Sequence, residues 1–280
     1  MKKVMFAAAL AAGMVAFGDG VESGIVGYIS QGNPALKSYV MVANSLQDPG
    51  STTLDLNKVT TDATPCAYAA RTSSAPTLKI WDPTAGNGAG NYSTFYYITD
   101  AYDEENDEEI TAWANRNGDI ISGISLPLGS ALWYICQVEV NKNVTLAGEV
   151  SSDSDITVSA STPGYTMLSN PFPVAADLNK INWFAADGQT PLAPATYATR
   201  TTAAPTIKVW DPTAGNGAGN YITYYYINDA YDEENDEEIT AWANRNGDFC
   251  EVSVAVGQGF WLILPAGHAG AKATFVNPVK

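Results

Sequence analysis

The most acidic segment of the chain reads YDEENDEE over residues 102–109 and places six carboxylates within eight positions. The same eight letters return at residues 231–238. Ca²⁺ prefers several carboxylate and carbonyl oxygens at close range, so each copy predicts a candidate Ca²⁺ site. The candidate ligands are Asp100, Asp103, Glu105 and Asp107 in the first copy and Asp229, Asp232, Glu234 and Asp236 in the second.

Two other interpretations of this acidic segment stay open. The flanking letters, YYITDAYD and EEITAWA, are typical of two strands, which predicts a hairpin with its turn near Glu105 and Asn106. Charge on an edge hairpin resists strand-to-strand aggregation, so the carboxylates would then form a solvated edge. Alternatively, they form a docking surface for a protein. An EF-hand is excluded, because the segment lacks the required glycine at the sixth loop position and has no flanking helices.

Aromatic residues form a second group of candidates. Tyr and Trp have flat faces with a polar tip, which suit sugar stacking and protein interfaces. The strand letters STFYYI carry aromatics on both faces, so we expect some of them at an outer surface or at an interface between modules. The candidate ligand-binding or partner-binding residues are Tyr97, Trp113, Tyr226 and Trp242, whereas Trp81, Trp133, Trp210 and Trp261 are expected in the core.

Residues for catalysis are scarce. The one histidine, His268, lies in the letters PAGHAGA, and a catalytic triad or zinc site needs more partners than this. Paired carboxylates can hydrolyse glycosides, but they need buried and distinct environments that separate their pKa values. A cluster on a hairpin tip does not provide them. The sequence therefore predicts a protein that is not an enzyme, with Ca²⁺ as its candidate cofactor.

The charge balance limits the classes of partner. The formal net charge is −16, with 14 Lys and Arg residues against 30 Asp and Glu residues. Binding to nucleic acid and to anionic lipid depends on Lys and Arg, so both are excluded as partners. The composition fits cations, neutral sugars or proteins.

The first residues read MKKVMFAAALAAGMVAFG, with two lysines before a short apolar run and small residues at its end. This pattern predicts a signal peptide over residues 1–18, and the apolar run is too short for a comfortable membrane span. We therefore expect a secreted or cell-surface protein that is not inserted in the membrane after cleavage. Its three cysteines, Cys66, Cys136 and Cys250, do not occupy matching positions in the two halves, which favours small buried side chains over a disulfide framework.

An internal duplication organises the rest of the chain. Residues 81–119 match residues 210–248 at 36 of 39 positions, with an offset of 129. Weaker echoes extend on both sides, and the polar letters SSDSD at 151–155 are typical of a linker. The predicted modules are therefore residues 19–150 and residues 151–280.

Each module is predicted to be all-β. Its apolar stretches, such as SYVMVA, TLKIW, STFYYIT, EITAWA and SALWYIC, are short, rich in β-branched and aromatic residues and separated by Gly, Pro, Asn and Asp. This pattern favours two tandem, homologous antiparallel β-sandwich modules of jelly-roll-like form.

The second half resembles a module that recurs in secreted and surface proteins of bacteria. The shared pattern is Gly-Tyr near residue 164, Asn-Pro-Phe-Pro at 170–173, Trp-Asp-Pro at 210–212 and Gly-Gln-Gly-Phe-Trp at 257–261. The first half departs from it, with Asn44-Ser45 in place of Asn-Pro. The resemblance implies a β-sandwich in an extracellular setting and brings no catalytic residues.

These features together predict an exported, non-enzymatic structural or cell-surface protein. It would assemble with itself or with another surface protein through the repeated acidic hairpins and the aromatic faces. The alternative function is a Ca²⁺-dependent carbohydrate-binding module with a glycan as its partner.

Overall fold

The computed structural model describes residues 25–86, 89–160, 162–212, 214 and 219–278. The predicted signal peptide lies outside the described residues. Within them, no helix has both the length and the apolar character needed to cross a membrane.

The described residues of the first module form ten strands, which include the short β-rich stretches identified in the sequence. They are β1 (Val26–Gly32), β2 (Tyr39–Ala43), β3 (Thr53–Asp55), β4 (Val59–Thr61), β5 (Thr77–Asp82), β6 (Asn91–Asp103), β7 (Glu108–Ala114), β8 (Ser125–Pro127), β9 (Ala131–Ile135) and β10 (Asn143–Glu149). The second module repeats this order. Its strands are β11 (Asp155–Ala160), β12 (Gly164–Ser169), β13 (Ala176–Asp177), β14 (Asn182–Phe184), β15 (Thr206–Asp211), β16 (Asn220–Asp232), β17 (Glu237–Ala243), β18 (Ser253–Val254), β19 (Gly259–Leu264) and β20 (Ala271–Val276).

Both modules arrange their strands into the same three antiparallel sheets. The five-stranded sheets run β2-β9-β5-β6-β7 and β12-β19-β15-β16-β17. The three-stranded sheets run β1-β10-β4 and β11-β20-β14, and the two-stranded ones are β3-β8 and β13-β18. This confirms the prediction of an all-β chain with two homologous antiparallel sandwich modules.

Helices are few and short. The four-residue helices α1 (Arg71–Ser74) and α2 (Arg200–Ala203) lie at equivalent places, each directly before the central strand of a five-stranded sheet. Leu178–Lys180 forms a single 3₁₀ turn, at whose start the Asn179 backbone amide donates to the Asp177 carboxylate at 3.0 Å.

Each module has its own apolar core between its sheets. Leu54, Leu78 and Leu132 are fully buried in the first core, and Phe260 and Phe275 are fully buried in the second. Alternate residues of a strand point to opposite faces. The face of each five-stranded sheet that points away from its own core is therefore not covered by that core.

Candidate functional site

The acidic segment forms the predicted hairpin. Strand β6 pairs with β7, and the last pair before the turn joins Asp103 to Glu108. Asp107 has φ 54°, a left-handed conformation that Asp tolerates better than most residues. The hairpin of the second module has the same register, with Asp232 opposite Glu237, and the same φ of 54° at Asp236. We call residues 103–109 and residues 232–238 the acidic tips.

The carboxylates predicted as Ca²⁺ ligands make separate contacts with the protein. Asp103 accepts hydrogen bonds from the Glu105 amide at 3.0 Å and from Asn106 Nδ2 at 2.9 Å. The Tyr102 hydroxyl donates to Asp107 at 2.7 Å, and Asp100 accepts from the Tyr68 amide at 2.6 Å.

The second copy repeats these bonds. Asn235 Nδ2 donates to Asp232 at 2.9 Å, the Tyr231 hydroxyl donates to Asp236 at 2.6 Å, and the Tyr197 amide donates to Asp229 at 2.7 Å. Glu105 and Glu234 are exposed. In the part of the chain that the structure describes, no three His, Cys, Asp or Glu side chains form a group that could hold a metal ion. The Ca²⁺ sites stay a prediction.

Hydrogen bonds in the acidic tips shift the pKa values of two types of side chain, Asp and Tyr. The Asn106 amide and the Glu105 and Asn106 backbone amides hold the pKa of Asp103 below its ordinary range. Asn235 and its neighbours do the same to the pKa of Asp232. The pKa of Tyr102 is raised because its hydroxyl donates to Asp107. The carboxylates of Asp103 and Asp232 therefore accept hydrogen bonds that stabilise the turns of their own hairpins.

Two arginines lie beside the base of each hairpin. The Arg71 guanidinium stacks over the Tyr68 ring at 3.8 Å, and the Tyr68 hydroxyl donates to the Arg116 carbonyl at 3.3 Å. The Tyr102 amide donates to the Gly118 carbonyl at 2.9 Å, which holds the loop of Arg116 against the hairpin. We call Arg71 with Arg116 an arginine pair.

The second module contains the matching arginine pair, Arg200 with Arg245. Arg200 stacks over Tyr197 at 3.8 Å and donates from Nε to the Arg245 carbonyl at 3.1 Å. These two pairs include all four arginines of the chain. Sequence reasoning missed them, although their equal spacing of 129 residues was a readable signal.

The structure corrects two of the predicted binding residues. Trp113 is 4% exposed and Trp242 is fully buried, each within the core of its own module. Trp113 donates its indole N–H to the Val59 carbonyl at 2.8 Å. Tyr97 and Tyr226 are half-buried against these two indoles, with ring centroids 5.2 Å and 5.1 Å apart. Apolar burial on the inner face of the sheet has therefore removed Trp113 and Trp242 from any exposed surface.

Other aromatics form an interface between the modules. The aromatics of the letters STFYYI, which the sequence predicted at an outer surface or at this interface, are not part of it, since Phe95 is buried in the first core and Tyr97 packs against that core. Trp133 and Trp261 are buried, in a cluster with Met41, Ala131 and Met167 that joins the outer faces of the two five-stranded sheets. Trp81 and Trp210 are half-buried beside this cluster. Trp81 packs edge-on against Trp261 at 5.5 Å, and Trp210 packs in the same way against Trp133 at 5.6 Å. These four indoles therefore belong to the inter-module contact and not to the two sandwich cores.

The contacts across this interface are reciprocal. Trp81 donates its indole N–H to the Tyr165 carbonyl at 2.7 Å, and Trp210 donates to the equivalent carbonyl of Tyr39 at 2.6 Å. In the backbone, the Ala43 amide donates to Gly257 at 2.9 Å, and the Ser169 amide donates to Gly129 at 2.7 Å. Each of these four hydrogen bonds is returned by an equivalent residue of the other module, which is the property of two like surfaces related by a two-fold axis.

A cleft of about 310 Å³ opens beside this interface. Its wall contains Trp81 and Tyr92 from the first module and Tyr165, Lys208, Tyr221 and Trp261 from the second. Tyr165 is 46% exposed, so its ring is accessible from solvent.

The prediction of small buried cysteine side chains holds for one of the three, because Cys136 is buried and Cys66 and Cys250 are half-buried. Cys66, Cys136 and Cys250 are all free, and Cys136 is buried in the first core. Burial raises the pKa of Cys66 and of Cys250, which keeps these two thiols protonated at neutral pH.

Comparison of the chain with protein-family models, with curated proteins and with solved structures finds no match. Its function is therefore argued from its own residues.

Proposed function

We propose that the protein is an exported, non-enzymatic structural or cell-surface protein that assembles with copies of itself. The contact would join the acidic tip of one copy to the arginine pair of another. One observation carries this proposal: each module has exposed carboxylates beside one exposed and one half-buried arginine, and both modules repeat this arrangement.

The charges of these two surfaces form no ion pair with each other or with other described residues. Among the described residues, the ion pairs join Lys58 to Asp48, Lys142 to Glu139 and Lys180 to Asp177. None of these pairs uses a carboxylate of the acidic tips or an arginine. Arg116 and Arg245 are exposed, and so are Glu104 and Glu105.

Arginine suits this role because its planar guanidinium binds carboxylates through two parallel hydrogen bonds. Stacking on Tyr68 and Tyr197 restrains Arg71 and Arg200, so less side-chain entropy is lost when a partner binds. With the aromatic cluster buried between the modules, the charged surfaces are among the duplicated features that face outward.

Light scattering on the purified protein tests the proposal. The wild type is expected to self-associate as its concentration rises, and the double variant Arg116→Glu with Arg245→Glu is expected to stay monomeric. The matched control, Lys37→Glu with Lys180→Glu, makes the same change in net charge at exposed lysines away from the acidic tips. A wild type that stays monomeric at every concentration, or a control that dissociates as fully as the arginine variant, would overturn the proposal.

Ca²⁺ binding and the alternative of a Ca²⁺-dependent carbohydrate-binding module stay predictions. Calorimetric titration with Ca²⁺ tests them both. Two equivalent sites that disappear in Asp107→Asn with Asp236→Asn would support metal-bound tips. If the titration with Ca²⁺ produces no heat and the signals of the hairpin amides do not change, the prediction of Ca²⁺ sites is wrong.

A further inference from the structure

We propose that the cleft between the modules binds an acidic sugar unit, a sugar ring that carries a carboxylate or a sulfate. This site is separate from the acidic tips and independent of the self-assembly proposed above. The argument rests on the shape of the cleft, on its aromatic wall and on the polar atoms that face into it.

The shape and lining are those of a small-molecule site. Pockets that bind small ligands are concave, about 300–1,000 Å³ in volume and lined mainly by apolar and aromatic side chains with a few polar groups. The cleft has a volume of about 310 Å³ and a wall of five aromatic rings. Tyr165, which lines the cleft, is 46% exposed, and an exposed aromatic ring suits stacking against the apolar face of a sugar.

Three polar side chains of the cleft besides Tyr165 can act as donors. Lys208 contributes an ammonium group, and Tyr92 and Tyr221 contribute hydroxyls. The indole N–H of Trp133 donates to the Tyr92 hydroxyl at 3.2 Å, and that of Trp261 donates to the Tyr221 hydroxyl at 3.1 Å. Each hydroxyl oxygen is thereby engaged as an acceptor and keeps its own O–H to donate.

Burial supports this donor role, because it raises the pKa of Tyr92 and of Tyr221 and keeps both phenols protonated. A ligand that complements three donors must bring acceptors. Carboxylate and sulfate oxygens are acceptors only, and their charge strengthens each hydrogen bond.

The charge of the cleft favours an anion. Lys208 is half-buried, with its ammonium group 5.9 Å from the centre of the Tyr221 ring. In the described part of the chain it forms no ion pair, although the sequence contains 30 acidic residues. The equivalent Lys79 of the first module lies 5.7 Å from the Tyr39 ring and 5.8 Å from the Tyr92 ring, also without a carboxylate among the described residues. The interface between the modules thus has one lysine on each side, Lys79 in the first module and Lys208 in the second.

The first experiment is calorimetric titration of the purified protein with glucuronate and glucose 6-sulfate, beside neutral glucose. Tryptophan fluorescence on the same samples reports whether Trp81 and Trp261 sense the ligand. We expect at least one of the acidic sugars to bind and to change the fluorescence, and glucose to bind more weakly by about tenfold.

Two variants locate the site. Lys208→Gln is expected to weaken binding of the acidic sugar by about tenfold and to leave the weak binding of glucose unchanged. Tyr165→Ala is expected to weaken binding of both kinds of sugar, because it removes the exposed ring and keeps the carbonyl that Trp81 needs. Lys180→Gln, at an exposed lysine outside the cleft, is the control and should bind as the wild type does.

Unchanged unfolding midpoints would show that the variants are folded. The proposal is overturned if neither acidic sugar binds, if glucose binds as tightly as the acidic sugars, or if Lys208→Gln binds them as the wild type does. None of these results depends on self-association, which is measured by light scattering.

Discussion

At the scale of single residues, Trp113 and Trp242 are held by their cores, so their removal should cost stability. Trp113→Ala and Trp242→Ala are each expected to lower the free energy of unfolding by about 3–5 kcal/mol, as large-to-small changes in a packed core do. Chemical denaturation followed by circular dichroism measures this. A loss below about 1 kcal/mol would contradict their placement in the cores.

The pH dependence of the acidic tips follows from Asp103 and Asp232. Their folded-state pKa values are lowered, so the stability that their hydrogen bonds give the turn is present above the ordinary value of 3.8 and is lost as pH falls below it. Amide exchange of Glu105, Asn106, Glu234 and Asn235 measures the local opening. We expect protection of these amides to fall below pH 3.8 while core amides stay protected. Protection that is unchanged down to acid unfolding of the whole chain would contradict the assignment.

At the scale of elements, the strands and the hairpin were predictable and the partners of their faces were not. Stretches such as TLKIW and EITAWA have the β-branched and aromatic residues that identify strands, and each became part of a strand. Because successive side chains of a strand point to opposite faces, Trp81 lies on one face of β5 and Leu78 and Ile80 lie on the other. The sequence does not show which of these faces packs within the same module and which packs against the other module. For that reason the sequence predicts Trp81 in a sandwich core and Trp113 at a binding surface, whereas Trp81 lies at the interface between modules and Trp113 lies in the core.

The arginine pairs could not be derived from one strand or one turn. Arg71 and Arg116 are far apart in sequence and are joined by Tyr68, which contacts the guanidinium of one and the carbonyl of the other. Such a pair depends on how α1 and the loop after β7 dock on the sheet. Only the repeated spacing of the arginines was visible beforehand.

Substitutions in the turn before β6 and in the equivalent turn before β16 test the aromatic interface at the scale of elements. Gly90 and Gly219 have φ 80°, and a Cβ atom at either would overlap the indole of Trp81 or Trp210. Gly90→Ala and Gly219→Ala are therefore expected to destabilise the protein by about 1 kcal/mol or more and to displace the indole. Denaturation with tryptophan fluorescence measures both effects. Gly50→Ala is a control with φ 71° but open space around its Cβ position, so it reports the backbone cost alone.

At the scale of the whole molecule, the buried aromatic cluster couples the two modules. Wild-type protein is expected to unfold in one calorimetric transition, because the two cores share this interface. Trp133→Ala with Trp261→Ala is expected to separate the unfolding into two transitions at lower temperature. A single transition at the wild-type temperature in this double variant would contradict the coupling.

The two-fold relation also sets the form of the proposed assembly. In a pair of copies, one module of each copy would bind its acidic tip to the arginine pair of the other copy, which gives a closed reciprocal contact. The other module of each copy would then be free to bind a further copy. We therefore expect assemblies that grow beyond a dimer as concentration increases.

The central claim is that acidic tips bind arginine pairs of other copies, and a charge exchange between two variants tests it most directly. One variant has Glu104, Glu105, Glu233 and Glu234 changed to Lys, and the other has Arg116 and Arg245 changed to Glu. Light scattering is expected to find each variant monomeric alone and the equimolar mixture associated, because the unaltered acidic tips of the second variant then meet the unaltered arginine pairs of the first. A mixture that stays monomeric, beside wild-type protein that associates under the same conditions, would contradict the claim.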